Sequence, residues 1–316
     1  MMKFKLSVSS VLAVSLLLIV SCSKQSTNTN PGTNPDPATP VPGPADTITS
    51  GANNNMRLGN PTMAKPESAM NENYLINQVY YIESYSRNRG IPNWVSWHFQ
   101  SEDKGTVGRQ DDFRPFTGLP SGWYQVAGNS YSYATNGFDR GHNCPSGDRT
   151  SSYVANSSTF YMTNMIPQSP NLNQGPWSEL EDQLRDNFVG TSNEAYIIMG
   201  SYGQGGLGRG KTDTAKTIDN GRVTVPKKVW KVAVILPKAD GDDLMRITAN
   251  TTILAVNMPN AENLYGTSDA ERKAWRNYLT TVAEIEADAK LHGVELNLLS
   301  NVPEAVRTAL KAKKYQ

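Results

Sequence analysis

The chain has 316 residues, with 30 Lys and Arg against 29 Asp and Glu, two cysteines and three histidines. That length allows one large domain or two ordinary ones, with a core that needs no disulfide staples. A net charge near zero argues against a dedicated basic DNA-packaging protein, though a local basic cleft stays open. Two Cys and three His (His98, His142 and His292) exclude zinc-finger arrays and multi-histidine metal cages. Histidine chemistry here must use one imidazole supported by Asn, Asp, Glu or Arg.

Residues 1–22 read MMKFKLSVSSVLAVSLLLIVSC. Lys3 and Lys5 precede an apolar stretch from Leu6 to Val20, about 15 residues against the roughly 20 that a membrane-spanning helix needs. The segment therefore reads as an export signal that is removed. Its ending, Leu-Ile-Val-Ser-Cys, resembles a bacterial lipoprotein signal with Cys22 as the lipidated residue. Cys144 is then the remaining thiol, which leaves no intrachain disulfide. Residues 23–55 are Asn, Thr, Pro, Gly and Ser with almost no apolar side chains, too little to offset ordering entropy. Residues 23–57 are expected to be a disordered tether, and 58–316 the folded domain.

Within that domain Tyr74–Tyr85 is rich in aromatic and β-branched residues and predicts a strand. Trp94–Phe99, Glu194–Met199 and Thr251–Asn257 predict three more. Arg222–Leu236 reads as a hairpin or a long bent strand, with Pro226 at an edge or bulge. Pro176–Val189 begins with Pro and stops at Gly190, with Trp177, Leu180, Leu184 and Phe188 on one stripe, so it predicts a helix. A second helix is expected from Asp269 to Leu291, opened by the capping box Ser268–Glu271 and stopped by Gly293. The run Gly203–Gly208 fits G-x-G-x-x-G, but the polar residues after it supply no helix for a pyrophosphate, so a loop is expected. Strands with helices at irregular intervals, and no βαβ rhythm, indicate an α+β fold with a mainly antiparallel central sheet flanked by helices.

The chemistry concentrates between Phe138 and Arg185. Asp139-Arg140-Gly141-His142 is followed by Asn164-Met165-Ile166-Pro167-Gln168, then by Leu172-Asn173-Gln174-Gly175-Pro176-Trp177, Glu181 and Arg185. His142 is flanked by a cation, a glycine and polar residues, the setting of a general base. Asn173, Glu181 and Arg185 are spaced by multiples of four and share a helical face. An amide and a carboxylate there suit a largely hydrated Mg²⁺, and a guanidinium suits phosphate. The same spacing equally describes a solvated face with a Glu181–Arg185 pair.

Together these segments resemble the DNA/RNA non-specific endonuclease family, sugar-non-specific nucleases with a ββα-metal active site. Asp-Arg-Gly-His stands complete at 139–142, and so does the downstream Asn-x-x-Pro-Gln with Leu-Asn-Gln-Gly-x-Trp-x-x-Leu-Glu. Looser similarity runs from about residue 58 to 300. The resemblance implies a Mg²⁺-dependent endonuclease of DNA and RNA with little sequence preference, leaving 5′-phosphate ends; Mn²⁺ or another divalent cation is the alternative. His142 would be the general base, Asn173 the metal ligand, and Glu181 a catalytic contact to the metal's water shell that helps place a proton on the leaving group. Arg140 and Arg185 would bind phosphate, and Asn164, grouped with the substrate contacts, would steady the site. An upstream phosphate contact is expected at Arg109, with Arg114 as its rival. Two departures stand out. A further family Asn falls on Phe160, so its hydrogen bond is missing or supplied elsewhere. Cys144, beside the base, is either a redox handle or a small buried side chain. The competing reading is a catalytically silent surface lipoprotein that binds nucleic acid or another ligand.

Overall fold

The computed structural model describes residues 54–266 and 268–316. Cys22 and nearly all of the expected tether lie outside the described residues. Ordered contacts begin a little before Leu58. Met56 is buried, and Asn55 accepts hydrogen bonds from Ser96 Oγ at 2.6 Å and the His98 N–H at 3.1 Å. No helix among the described residues is long and apolar enough to cross a membrane.

The apolar run expected as one strand folds back on itself. It forms β1 (Tyr74–Asn77) and β2 (Ile82–Ser86), because Asn77 Oδ1 accepts the Val79 N–H at 2.9 Å and Val79 takes a left-handed φ of 68°. β3 (Ile91–Phe99) follows, with Pro92 next to the register shift between Ser84 and Tyr85, where the ladder is already irregular. The short strands β4 (Asp139–His142) and β5 (Met165–Gln168) pair with each other alone. β6 (Asn193–Tyr202) is longer than its apolar core. Arg222–Leu236 divides into β8 (Val223–Thr224), paired with β7 (Thr217–Ile218), and β9 (Lys228–Pro237), with Pro226 between them. β10 (Thr252–Pro259) completes a six-stranded sheet in the order β1-β2-β3-β6-β9-β10, antiparallel at every pairing. The Gly203–Gly208 run is a loop, with Gly203 and Gly205 at positive φ.

The sheet is covered on both faces, which is why β6 and β9 are near-continuous apolar runs and lack clean alternation. On one face Trp97, Phe99, Met199, Ala233 and Val256 pack against Phe138, Met165, Leu172, Trp177, Leu180 and Leu184. On the other, Trp94, Ile198, Trp230, Val232 and Val234 meet Val282, Ile285, Ala289 and Leu310. The molecule is therefore α+β in three layers, and the residues singled out for chemistry belong to the first.

The expected helix over 269–291 is broken. Its capping box is present and opens Asp269–Arg272, but tight turns over Lys273–Tyr278 follow. Leu279 then bridges to Val256, and the Thr280 N–H donates to the Ala255 carbonyl at 2.9 Å, along the open edge of β10. Covering that edge wins over continuing the helix. A second capping box, Thr281 with Glu284, starts Val282–Leu291, and Gly293 at φ 77° ends it. A last helix, Glu304–Ala312, carried no sequence expectation.

Candidate active site

Two antiparallel strands and a helix make the site. β4 pairs with β5 so that His142 faces Met165 and Asp139 faces Gln168. The chain then turns at Ser169 into a helical stretch that begins six residues before the expected Pro176. It runs through Pro170–Leu172, Asn173–Trp177, Ser178–Asp182 and Gln183–Val189. Pro170 suits a first helical position, where its missing N–H is no loss. Gly175, at φ −104° and ψ −113°, kinks the stretch ahead of Pro176, and the turns on either side of Ser178–Asp182 are wide. Such widened turns re-aim side chains and recur at functional sites.

These elements surround a cavity of about 420 Å³ lined by Arg109, Arg140, His142, Asn173, Glu181, Arg185 and Arg272, among others. His142 is almost fully buried, its ring edge-to-face with Phe160 at 4.9 Å and with Phe113 at 5.7 Å. Nε2 is buried without a hydrogen-bond partner, so Nδ1 is the nitrogen that reaches the cavity. At Phe160, where the family's hydrogen bond was expected to be missing or supplied elsewhere, an aromatic ring packs on His142, and Nε2 has no partner among the described residues. Burial, then Arg109 and Arg140, hold the imidazole pKa well below its ordinary value. The ring is therefore neutral near pH 7 and able to accept a proton.

Asn173 Nδ2 donates to Asp139 Oδ2 at 2.9 Å, and Gln174 Nε2 donates to the same oxygen at 2.8 Å. A carboxylate only accepts, which fixes the amide with Oδ1 free. Asp139, assigned no role from sequence, thus orients the expected metal ligand. Glu181 Oε1 accepts from Lys231 Nζ at 2.9 Å, while Oε2 has no partner among the described residues. Burial raises the Glu181 pKa, and Lys231 and Arg185 oppose that shift. Two free oxygens, an amide and a carboxylate, facing one cavity match the hard-donor set of a hydrated divalent cation.

The guanidinium groups are individually braced. Arg109 donates to Ser146 Oγ at 3.0 Å and lies over the Phe160 ring at 4.9 Å. Its rival Arg114 is turned away, bonded to Asp112 and to the Ser157 carbonyl. Arg140 donates to the Gly128 carbonyl at 2.7 Å and stacks on Phe113. Arg185 Nε donates to the buried Asp148 at 3.1 Å. Burial alone would lower its pKa, but Asp148, Glu181 and Asp182 outweigh that and keep it charged. Asp148, also unassigned from sequence, accepts from Trp97 Nε1 at 2.9 Å as well. Arg272 reaches the cavity from the short helix Asp269–Arg272 and has no ion-pair partner among the described residues.

One residue differs from its expected grouping but fits the steadying role expected of it. Asn164, expected among the substrate contacts, is fully buried outside the cavity. Its Oδ1 accepts the Cys144 N–H at 2.9 Å, and its Nδ2 donates to the Cys144 and Thr159 carbonyls at 2.9 and 2.8 Å. With every polar atom spent on backbone it locks the chain after β4 and cannot touch a substrate. Cys144 beside it is fully buried and burial pushes its thiol pKa up, so it is a packing residue with no thiolate character. His98, Glu194 and Asp243 also cluster closely enough to hold an ion. They lie on the other face of the sheet, beside Tyr196. Arg246 already bonds both carboxylates there, supplying the positive charge that a cation would.

A strand pair and a helix that bring an imidazole, an amide, a carboxylate and several guanidinium groups to one cavity define a hydrolytic nuclease of the ββα class. Comparison with known proteins agrees. The chain matches the DNA/RNA non-specific endonuclease family over residues 58–305. It is 38% identical over 301 residues to a nuclease of Nostoc sp., covering 95% of this chain and 96% of that protein. It is 29% identical to the mitochondrial nuclease EXOG of Danio rerio, over 58% of this chain and 52% of the relative. Its fold is similar to a solved EndoG/EndoGI complex chain, at TM-score 0.57 and 19% identity, covering 80% of this chain and 92% of that one. The chain belongs to the DNA/RNA non-specific endonuclease family.

Proposed function

We propose that this nuclease is a Mg²⁺-dependent endonuclease that hydrolyses DNA and RNA with little sequence preference and leaves 5′-phosphate ends. The observation that carries the reading is the pairing of a neutral, cavity-facing His142 with Asn173, whose amide is locked with its oxygen outward. His142 Nδ1 takes the proton of the attacking water, a contribution typically worth ~10²–10⁴-fold. Arg109, Arg140, Arg185 and Arg272 hold the phosphate and its neighbours. Guanidinium contacts to phosphate read backbone, which carries no base information, and that accounts for weak sequence preference. Asn173 Oδ1 would hold Mg²⁺, and Glu181 Oε2 would contact its water shell and help place a proton on the 3′ oxygen as the P–O bond breaks; a bound cation would supply charge compensation there. Mn²⁺ fits the same donors. The lipoprotein-like start of the sequence supports a further part of the proposal, that the enzyme is exported and anchored through Cys22.

The test uses the chain from residue 54 onward on supercoiled plasmid and a structured RNA, with Mg²⁺, with chelator, and as His142→Ala. Metal-dependent nicking of both substrates, falling at least ~10²-fold in the variant, is expected. Failure to cut either substrate with any divalent metal would overturn the proposal.

A further inference from the structure

Lys231 stands in the middle of β9, a central strand of the sheet, and is completely buried. Straight apolar sequence surrounds it, in Lys-Val-Trp-Lys-Val-Ala-Val-Ile-Leu, so it interrupts a run that packing alone would fill with a hydrophobic residue. An ammonium taken from water costs more than an apolar side chain of similar volume, even when it is paired. Stability therefore does not account for it. Its side chain's one hydrogen bond among the described residues is to Glu181 Oε1 at 2.9 Å. The Trp177 and Trp97 rings flank the ammonium, with centroids at 4.6 and 5.6 Å. Both ring faces attract a cation and leave it little freedom.

Glu181 lies between two wide helical turns, and Lys231 is the partner of its carboxylate in hydrogen bonding and ion pairing. With Oε1 tied to the sheet, Oε2 is the oxygen left to the cavity. The neighbouring pair is built alike: Asp148, itself held by Trp97 Nε1, fixes Arg185 one helical turn further on. The sheet thus reaches through the aromatic layer at two points to set Glu181 and Arg185, two of the cavity-lining side chains of this helical stretch.

We propose that Lys231 is a positioning residue that clamps Glu181 so that Oε2 is presented to the water shell of the bound cation. This rests on the nuclease reading above and deepens it: the floor of the site belongs to the central sheet and lies outside the strand–strand–helix unit. Lys231 touches neither substrate nor metal and acts through Glu181 alone.

The experiment compares the wild type with Lys231→Met, Glu181→Gln and the double variant, in the chain from residue 54 onward. Mn²⁺ affinity is measured by electron paramagnetic resonance without nucleic acid, and kcat and KM on plasmid are measured separately. Loss of a group that orients a metal-site side chain weakens affinity or activity by about 10–100-fold. Lys231→Met is expected to show that loss in Mn²⁺ affinity and in kcat, with KM for plasmid changed less than about threefold. Residues acting through one another are non-additive, so the double variant should match Glu181→Gln. Unchanged Mn²⁺ affinity and kcat in folded Lys231→Met, or multiplied losses in the double variant, would overturn the proposal. Should Lys231→Met fail to fold, the double variant, free of an unpaired buried charge, is compared with Glu181→Gln alone; equal values support the clamp and a further tenfold loss rejects it. Wild type that cuts nothing rejects the nuclease reading instead, so the two failures are distinct.

Discussion

His142, the proposed base, is kept neutral by what surrounds it. Phe113 and Phe160 exclude water from one side of the ring, and Arg109 and Arg140 oppose a positive charge on it. Each effect disfavours the imidazolium, so its pKa falls. The acid limb of kcat/KM, which reports the free enzyme, is therefore expected below the ordinary histidine value of about 6.5. A limb at or above that value, measured over pH 4–9, would show that the ring is more solvated than the structure has it. The same shift links to stability. Below about pH 6.5 the unfolded chain takes up the proton and the folded one does not, so this residue's contribution is present above that pH and is lost as pH falls. At this scale the sequence named most of the residues that line the cavity, and said little of their environment. Asp139-Arg140-Gly141-His142 marks the proposed base, yet its orphaned Nε2 depends on Phe160, which joins it through folding. Arg109 and Arg114 are indistinguishable by spacing, and their separation rests on which one meets Asp112 and the Ser157 carbonyl.

At the scale of elements, the two-stranded ladder of β4 and β5 carries Arg140 and His142 and depends on a close approach. Gly141 faces Ile166, and a Cβ at that position would fall on Gln168 Oε1 and lie 2.7 Å from Gln168 Cβ. Gln168 is fully buried, and its Cβ is held by the backbone of β5 and cannot swing aside. Gly141→Ala is expected to destabilise by about 1–3 kcal/mol, the usual cost of overpacking, and to lower nicking activity by parting the strands. Thermal melting beside plasmid nicking checks this, and an unchanged melting point with full activity would contradict it. Neither strand was legible beforehand, because four residues of mixed polarity carry no periodicity. The helix over 176–189 was legible from its stripe and its stop at Gly190, whereas its extension back to Pro170 was not. The long helix expected from Asp269 shows the opposite failure. Local pattern favours continuity there, and the unpaired edge of β10 interrupts it.

At the scale of the whole molecule, the sheet separates two tasks. One face supports the cavity, with Lys231 and Trp97 rising from it, and the other is sealed by the C-terminal helices. The proposed anchor at Cys22 would sit well upstream of the described residues, which start at Asn54. A Pro-rich tether of that kind extends at about 3.1 Å per residue, enough to keep the cavity clear of a membrane surface. Cys22→Ser in the full-length chain is expected to move the protein from the detergent phase to the aqueous phase with nuclease activity intact. Partitioning unaffected by the substitution would remove the lipid anchor from the proposal.

Composition and local pattern, taken alone, determined the α+β class, the sheet's central strands and the capping box at Ser268, while the candidate residues for chemistry came from the motifs that resemble the family. These depend on side-chain identity and short-range periodicity, which a sequence displays directly. The tertiary structure alone decided what each group faces. Lys231 and Glu181 meet across 50 positions of chain, and Arg272 reaches the cavity from a helix that local pattern had merged into a longer one. Asn164 passes from expected substrate contact to buried brace for a related reason. Its three hydrogen bonds go to backbone groups that the fold, and no local spacing, brings within reach.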